Sequence, residues 1–156
     1  MPQVILQSLD DTRKLGKMLG ELSRPGDVIL LTGSLGAGKT TLTQFIAEGI
    51  NIPEEYYVTS PSFALMHEYP GNIPLYHIDC YRLIGEDDVE ESGLMDYIVA
   101  DGLSVVEWPD RLGSMIPEER LNIDIHLADD SERIVEITPH GKSWQERIHG
   151  IIESCK

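Results

Sequence analysis

Gly33-Ser34-Leu35-Gly36-Ala37-Gly38-Lys39-Thr40 decides how this chain folds. The stretch fits the pattern G-x-x-x-x-G-K-[ST], in which the N–H groups of a glycine-rich turn curl around phosphate groups. Lys39 supplies a point charge to β- and γ-phosphates, and the Thr40 hydroxyl supplies a magnesium ligand. Thr41 adds a further hydroxyl. Such a loop needs a strand before it and a helix after it. Val28-Ile29-Leu30-Leu31-Thr32 is a short apolar run behind the turn-forming Pro25-Gly26-Asp27, which predicts a buried strand. Leu42, Phe45, Ile46 and Ile50 recur at helical spacing. That helix aims its N-terminus at the loop, where its dipole favours an anion. A glycine-rich turn that binds nothing is the competing reading, and the flanking strand and helix argue against it.

Outward from the loop the pattern is mixed. Val4 to Leu6 predicts a short strand, and Asp10 to Leu22 a helix with Leu15, Met18, Leu19 and Leu22 along one face. Phe63 to Tyr69 and Ile73 to Tyr81 flank Pro70-Gly71-Asn72, which is hairpin chemistry. Asp87 to Glu91 reads as helix closed by Gly93. Leu103 to Glu107 is an apolar strand, Pro109 to Leu112 a helical turn, and Trp144 to Ser154 a last helix. Leu121 to Leu127 and Arg133 to Thr138 alternate around Asp129-Asp130-Ser131-Glu132, a second hairpin. The fold class is α/β, a mixed sheet with antiparallel additions.

The 156 residues suffice for one domain, 1–156, with a sizeable core. No run approaches the roughly 20 apolar residues of a membrane span. The first residues lack the basic head and apolar stretch of a signal peptide. Cys80 and Cys155 stand far apart without C-x-x-C spacing, which predicts neither a disulfide framework nor a zinc site. The expected setting is cytoplasmic. A net charge of −15 argues against broad direct binding of nucleic acid, whose affinity comes largely from Lys and Arg on phosphates. Acidic stretches such as Glu86-Asp87-Asp88 and Glu90-Glu91 are solvated helix faces or a surface for a basic partner.

Hydrolysis needs more than a phosphate loop: an acid to support magnesium and a group to orient water. Glu107 ends a strand that can lie beside the loop strand, where a magnesium-supporting acid belongs. Asp79 ends Pro74-Leu75-Tyr76-His77-Ile78. The hydroxyls of Thr59, Ser60 and Ser62, stiffened by Pro61, suit a loop that senses the γ-phosphate. His77 with Asp79, or His67 with Cys80, lacks further ligands at useful spacing, so no separate metal site is expected. The absence of an Asn-Lys-x-Asp guanine reader favours ATP over GTP.

Together, the loop through Thr41, then Thr59-Ser60-Pro61-Ser62-Phe63, then Tyr76-His77-Ile78-Asp79-Cys80-Tyr81-Arg82-Leu83, then Val106-Glu107-Trp108-Pro109 resemble the successive signatures of the TsaE family. The resemblance covers about Thr12 to Leu127. It implies a phosphate-loop NTPase-like, three-layer fold with a mixed parallel and antiparallel sheet of roughly seven strands. It implies a bacterial ATPase, weak alone, that serves threonylcarbamoyl modification of tRNA adenosine through partners TsaB and TsaD, tRNA being met only through them. Carried over by motif, Gly33, Ser34, Leu35, Gly36, Ala37, Gly38, Lys39, Thr40 and Thr41 hold the phosphates of ATP, and Thr40 and Glu107 hold Mg2+. Lys39, Asp79 and Glu107 support hydrolysis, Trp108 follows the acid as the pattern asks, and Thr12 approaches the adenine. Ser34 stands where an acid is common, and Ser62 where Thr is common. A small-molecule kinase and a nucleotide-gated binding module are the alternatives. The kinase would need an Arg-rich lid, which the chain lacks.

Overall fold

The computed structural model describes residues 2–34, 36–61, 64–98, 101–128 and 132–154. In chain order it contains β1 (Gln3–Leu6), α1 (Leu9–Leu22), β2 (Val28–Gly33), α2 (Lys39–Gly49), β3 (Met66–Tyr69) and β4 (Leu75–Asp79). There follow α3 (Glu86–Ser92), α4 (Leu94–Ile98), β5 (Leu103–Glu107), a 3-10 helix (Pro109–Met115), β6 (Arg120–Leu127), β7 (Arg133–His140) and α5 (Lys142–Ser154). Leu35, Ser62, Phe63, Asp129 to Ser131 and Cys155, all named from the sequence, lie outside the described residues.

The strands form one seven-stranded sheet in the order β1-β7-β6-β2-β5-β4-β3. β6, β2, β5 and β4 run parallel, and antiparallel strands extend the sheet at both sides. This is the mixed sheet expected from the sequence. Helices cover both faces. Ile29 and Leu31 pack with Leu15, Leu42, Ile46 and Trp144 of α1, α2 and α5. Val28 and Leu30 pack with Val89, Leu94, Ile98 and Leu112 on the other side. β2 is therefore buried on both faces, which is why its sequence is a continuous apolar run. β6 and β7 instead alternate. Ile123, Ile125, Val135 and Ile137 enter the core, while Asp124, His126 and Glu136 stand on the opposite face with ligand atoms within 4.8 Å of one another.

Local chemistry sets the ends of these elements. The Ser8 hydroxyl accepts from the Asp11 N–H at 3.2 Å, an N-cap that opens α1. Gly93 closes α3 in the left-handed region, φ 76°. α1 and α2 cross so closely that a Cβ on Gly20 would overlap the Ile46 carbonyl oxygen. α5 is tied to the start of β2 by the paired bonds of Arg147 to Asp27, 2.6 and 3.0 Å, with the guanidinium also 4.0 Å from the Trp144 ring centroid. The helix α4 is an addition to the sequence reading. So is the length of the 3-10 helix, which runs to Met115 across a non-helical Gly113. Among the described residues no helix is long and apolar enough to cross a membrane.

Candidate functional site

The loop between β2 and α2 gathers its chemistry through glycine. Gly33, Gly36 and Gly38 adopt φ of 148°, 79° and 110°, conformations that side chains resist. Gly38 caps α2 with no side-chain bond, so the helix's first N–H groups are left to the cavity in front of them. A Cβ on Gly33 would also press on the Ile125 carbonyl at 2.7 Å, so β6 fixes where the loop begins.

Lys39 is buried although charged. Its ammonium donates to the Gly33 carbonyl at 2.8 Å and lies 4.2 Å from the centroid of the Trp108 ring. Trp108 itself occupies the left-handed region, φ 56° and ψ 52°, immediately before Pro109. That backbone costs a non-glycine residue about 1–2 kcal/mol. It is held by the ring's packing on Lys39 and on Tyr81, centroids 5.0 Å apart.

The parallel pairing of β2 with β5, and of β5 with β4, brings the strand-end acids to the loop. Leu31 is the register partner of Glu107, and Glu107 of Asp79. Both acids are nearly buried. Asp79 accepts from the Ser60 hydroxyl at 3.1 Å and from the Tyr81 N–H at 2.9 Å. Glu107 Oε2 pairs with His77 Nε2 at 2.6 Å. Burial, with Asp79 next to it, pushes the neighbouring Cys80 thiol up to about 12.

A cavity of about 590 Å³ joins these groups: Gly36, Gly38, Lys39, Thr40, Thr41, Ser60, Asp79, Arg82, Glu107 and Trp108 line it. A hydroxyl, a carboxylate and an ammonium on one wall are a donor set that suits a hard cation together with phosphate oxygens. A second cavity, about 210 Å³, adjoins the loop at Ala37, Gly38 and Thr41. Thr12 lines it with Leu6, Leu9, Ile125 and Arg133.

Of the residues named from the sequence, Gly36, Ala37, Gly38, Lys39, Thr40, Thr41, Asp79, Glu107, Trp108 and Thr12 thus line one or other of two cavities that share the loop. Gly33 and Ser34 line neither; their carbonyls receive the Lys39 ammonium and the Ala37 N–H. Ser60 reaches the larger cavity and Thr59 does not. His67 bonds the Tyr69 hydroxyl and His77 bonds Glu107, so neither joins Asp79 or Cys80 as a ligand pair. Sequence reasoning missed Arg133, whose Nε donates to the Ala37 carbonyl at 3.0 Å. It also missed the His77–Glu107 pair. Each depends on strand register, which no local motif reports.

Comparison with known proteins converges on one family. The profile described as "Threonylcarbamoyl adenosine biosynthesis protein TsaE" matches residues 6–135. The tRNA threonylcarbamoyladenosine biosynthesis protein TsaE of Bacillus subtilis (strain 168) is 41% identical over 137 residues, covering 87% of this chain and 84% of that protein. The protein of the same name from Treponema pallidum (strain Nichols) is 35% identical over 133 residues, 85% of this chain and 97% of its own. The crystal structure of Bacillus subtilis YdiB superposes with a TM-score of 0.78 at 32% identity, covering 99% of this chain and 95% of that one.

Proposed function

The chain belongs to the TsaE family, and from that premise we propose that it is a partner-dependent, magnesium-requiring ATPase of tRNA threonylcarbamoyladenosine biosynthesis. On this reading it works in the cytoplasm on a TsaB–TsaD complex and leaves tRNA to those partners. One observation carries the enzymatic part: Lys39, Thr40, Asp79 and Glu107 line a single cavity in front of the N-terminus of α2.

That geometry supports the following roles. The loop N–H groups and Lys39 bind the phosphates, with Lys39 leaving the Gly33 carbonyl and the Trp108 ring to do so. Thr40 and Glu107 would hold magnesium, which when bound neutralises charge developing on the phosphate oxygens. Asp79, fixed by Ser60 and the Tyr81 N–H, orients the attacking water. The smaller cavity beside Thr12 takes the base against Leu6, Leu9 and Ile125. The charge of −15 fits a protein that does not itself grip nucleic acid.

The test is phosphate release from ATP with magnesium, measured for the chain alone and with TsaB and TsaD added. Release is expected to be slow alone and to rise with both partners present. Background release in the complete mixture would refute the ATPase assignment.

A further inference from the structure

Glu107 does not stand alone in the wall of the larger cavity. Behind it, and not lining the cavity, lies His77 on β4. Its side chain is 0% exposed and that of Glu107 5%. The register sets Asp79 opposite Glu107 and His77 opposite Val105, so His77 reaches Glu107 diagonally across the parallel pair. Nε2 lies 2.6 Å from Glu107 Oε2, whereas Nδ1 is buried with no hydrogen-bond partner among the described residues. That asymmetry selects the tautomer. A proton on Nε2 is donated to the carboxylate, while a proton on Nδ1 would be buried with nothing to accept it.

We propose that His77 is a positioning residue for Glu107: it fixes the carboxylate through Oε2, so that Oε1 is presented to the cavity as a cation ligand. This rests on the assignment of Glu107 to magnesium given above. An imidazole suits the task because its ring presents one directed N–H donor to the carboxylate. Lys or Arg at this position would form an ion pair and divert the carboxylate's charge from the cation. An apolar residue would leave Glu107 free to turn among its rotamers. Bonds of this kind to a ligating carboxylate are a known means of fixing metal geometry.

The experiment measures binding of a non-hydrolysable fluorescent ATP analogue to the full chain as magnesium is titrated, and separately without magnesium. His77→Asn places its amide too short for Glu107, His77→Met removes the donor at similar volume, and His77→Gln carries an amide N–H near the Nε2 position. The magnesium concentration for half the gain in affinity is expected to rise about 10–100-fold in His77→Asn and His77→Met and to return close to wild type in His77→Gln. Metal-free affinity is expected to stay unchanged in all of them. A wild-type magnesium response in His77→Asn, or His77→Gln as impaired as His77→Asn, overturns the role of His77. Glu107→Gln is the separate control. A magnesium response that survives there overturns the assignment of Glu107 itself.

Discussion

Replacing Lys39 by Met keeps the buried aliphatic stem and removes the ammonium, and the structure sets how much nucleotide affinity this should cost. The ammonium already has partners, the Gly33 carbonyl at 2.8 Å and the Trp108 ring at 4.2 Å. A hydrogen bond from a charged group contributes about 1.5–3 kcal/mol, and a cation–π interaction about 0.5–2 kcal/mol. On the proposed reading, nucleotide binding would exchange these partners for phosphate oxygens. Two charge-assisted bonds to phosphate would replace one bond to a carbonyl and one ring interaction, for a net of about 1 kcal/mol. Lys39→Met is therefore expected to weaken binding of a non-hydrolysable ATP analogue about 5-fold. Calorimetric titration in the presence of magnesium measures it, with a melting curve to confirm the fold. A dissociation constant within about twofold of wild type would refute phosphate binding by Lys39. A loss of affinity beyond about 1,000-fold would refute the exchange, because it would mean that the Gly33 carbonyl and the Trp108 ring offset nothing.

Gly20→Ala and Gly150→Ala are the same change with opposite expected signs. At Gly20 the new methyl meets the backbone of α2, which cannot rotate away, so overpacking of about 1–3 kcal/mol outweighs a helix-propensity gain of about 1 kcal/mol. At Gly150 in α5 nothing lies within 4 Å, and a gain of about 0.5–1 kcal/mol remains. Melting curves should fall for the first and rise for the second; a shared sign would refute the close-crossing argument. Cys80, its thiol held up to about 12, is expected to resist iodoacetamide at pH 8 in the folded chain and to react after denaturation, as followed by peptide mass mapping. Because the folded value lies above the ordinary 9.0, the stability tied to this thiol is complete below about pH 9 and is lost as pH rises toward 12. Urea midpoints should decline over that range in the wild type and less steeply in Cys80→Ala.

What could be read from the sequence was what short range decides. The loop, the apolar strand before it and the periodic helix after it each carry their own signal, and β2 and α2 lie where those signals place them. Glu107 and Asp79 were legible as ends of apolar runs, and the parallel pairing of β2, β5 and β4 sets them side by side. Long-range register was not legible. Gln3 meets Glu136 where β1 joins the sheet edge, Arg133 reaches Ala37, and His77 bonds Glu107, over separations of 133, 96 and 30 residues. α4 is only five residues long, too short to show a helical period, and follows Gly93 at once. Trp108 gave no hint of its left-handed backbone, since nothing in Glu-Trp-Pro asks for it locally and the residue before proline is usually extended.

The charges at the larger cavity explain why a cation belongs there if a nucleotide does. Its lining carries Lys39 and Arg82 against Asp79 and Glu107, so the wall is balanced, and the whole chain is strongly negative. Such a field offers an oligophosphate no long-range attraction, and two carboxylates at its end would repel it at close range. The loop N–H groups and the α2 dipole act only within about the first turn. A divalent cation held by Glu107 would supply the positive charge that offsets this repulsion. On the proposed reading the weight of recognition would then fall on the orientation of one carboxylate, Glu107, whose Oε2 the buried His77 contacts at 2.6 Å. On the proposed reading, the bond beneath the cavity and the loop in front of it would act on the same phosphate chain.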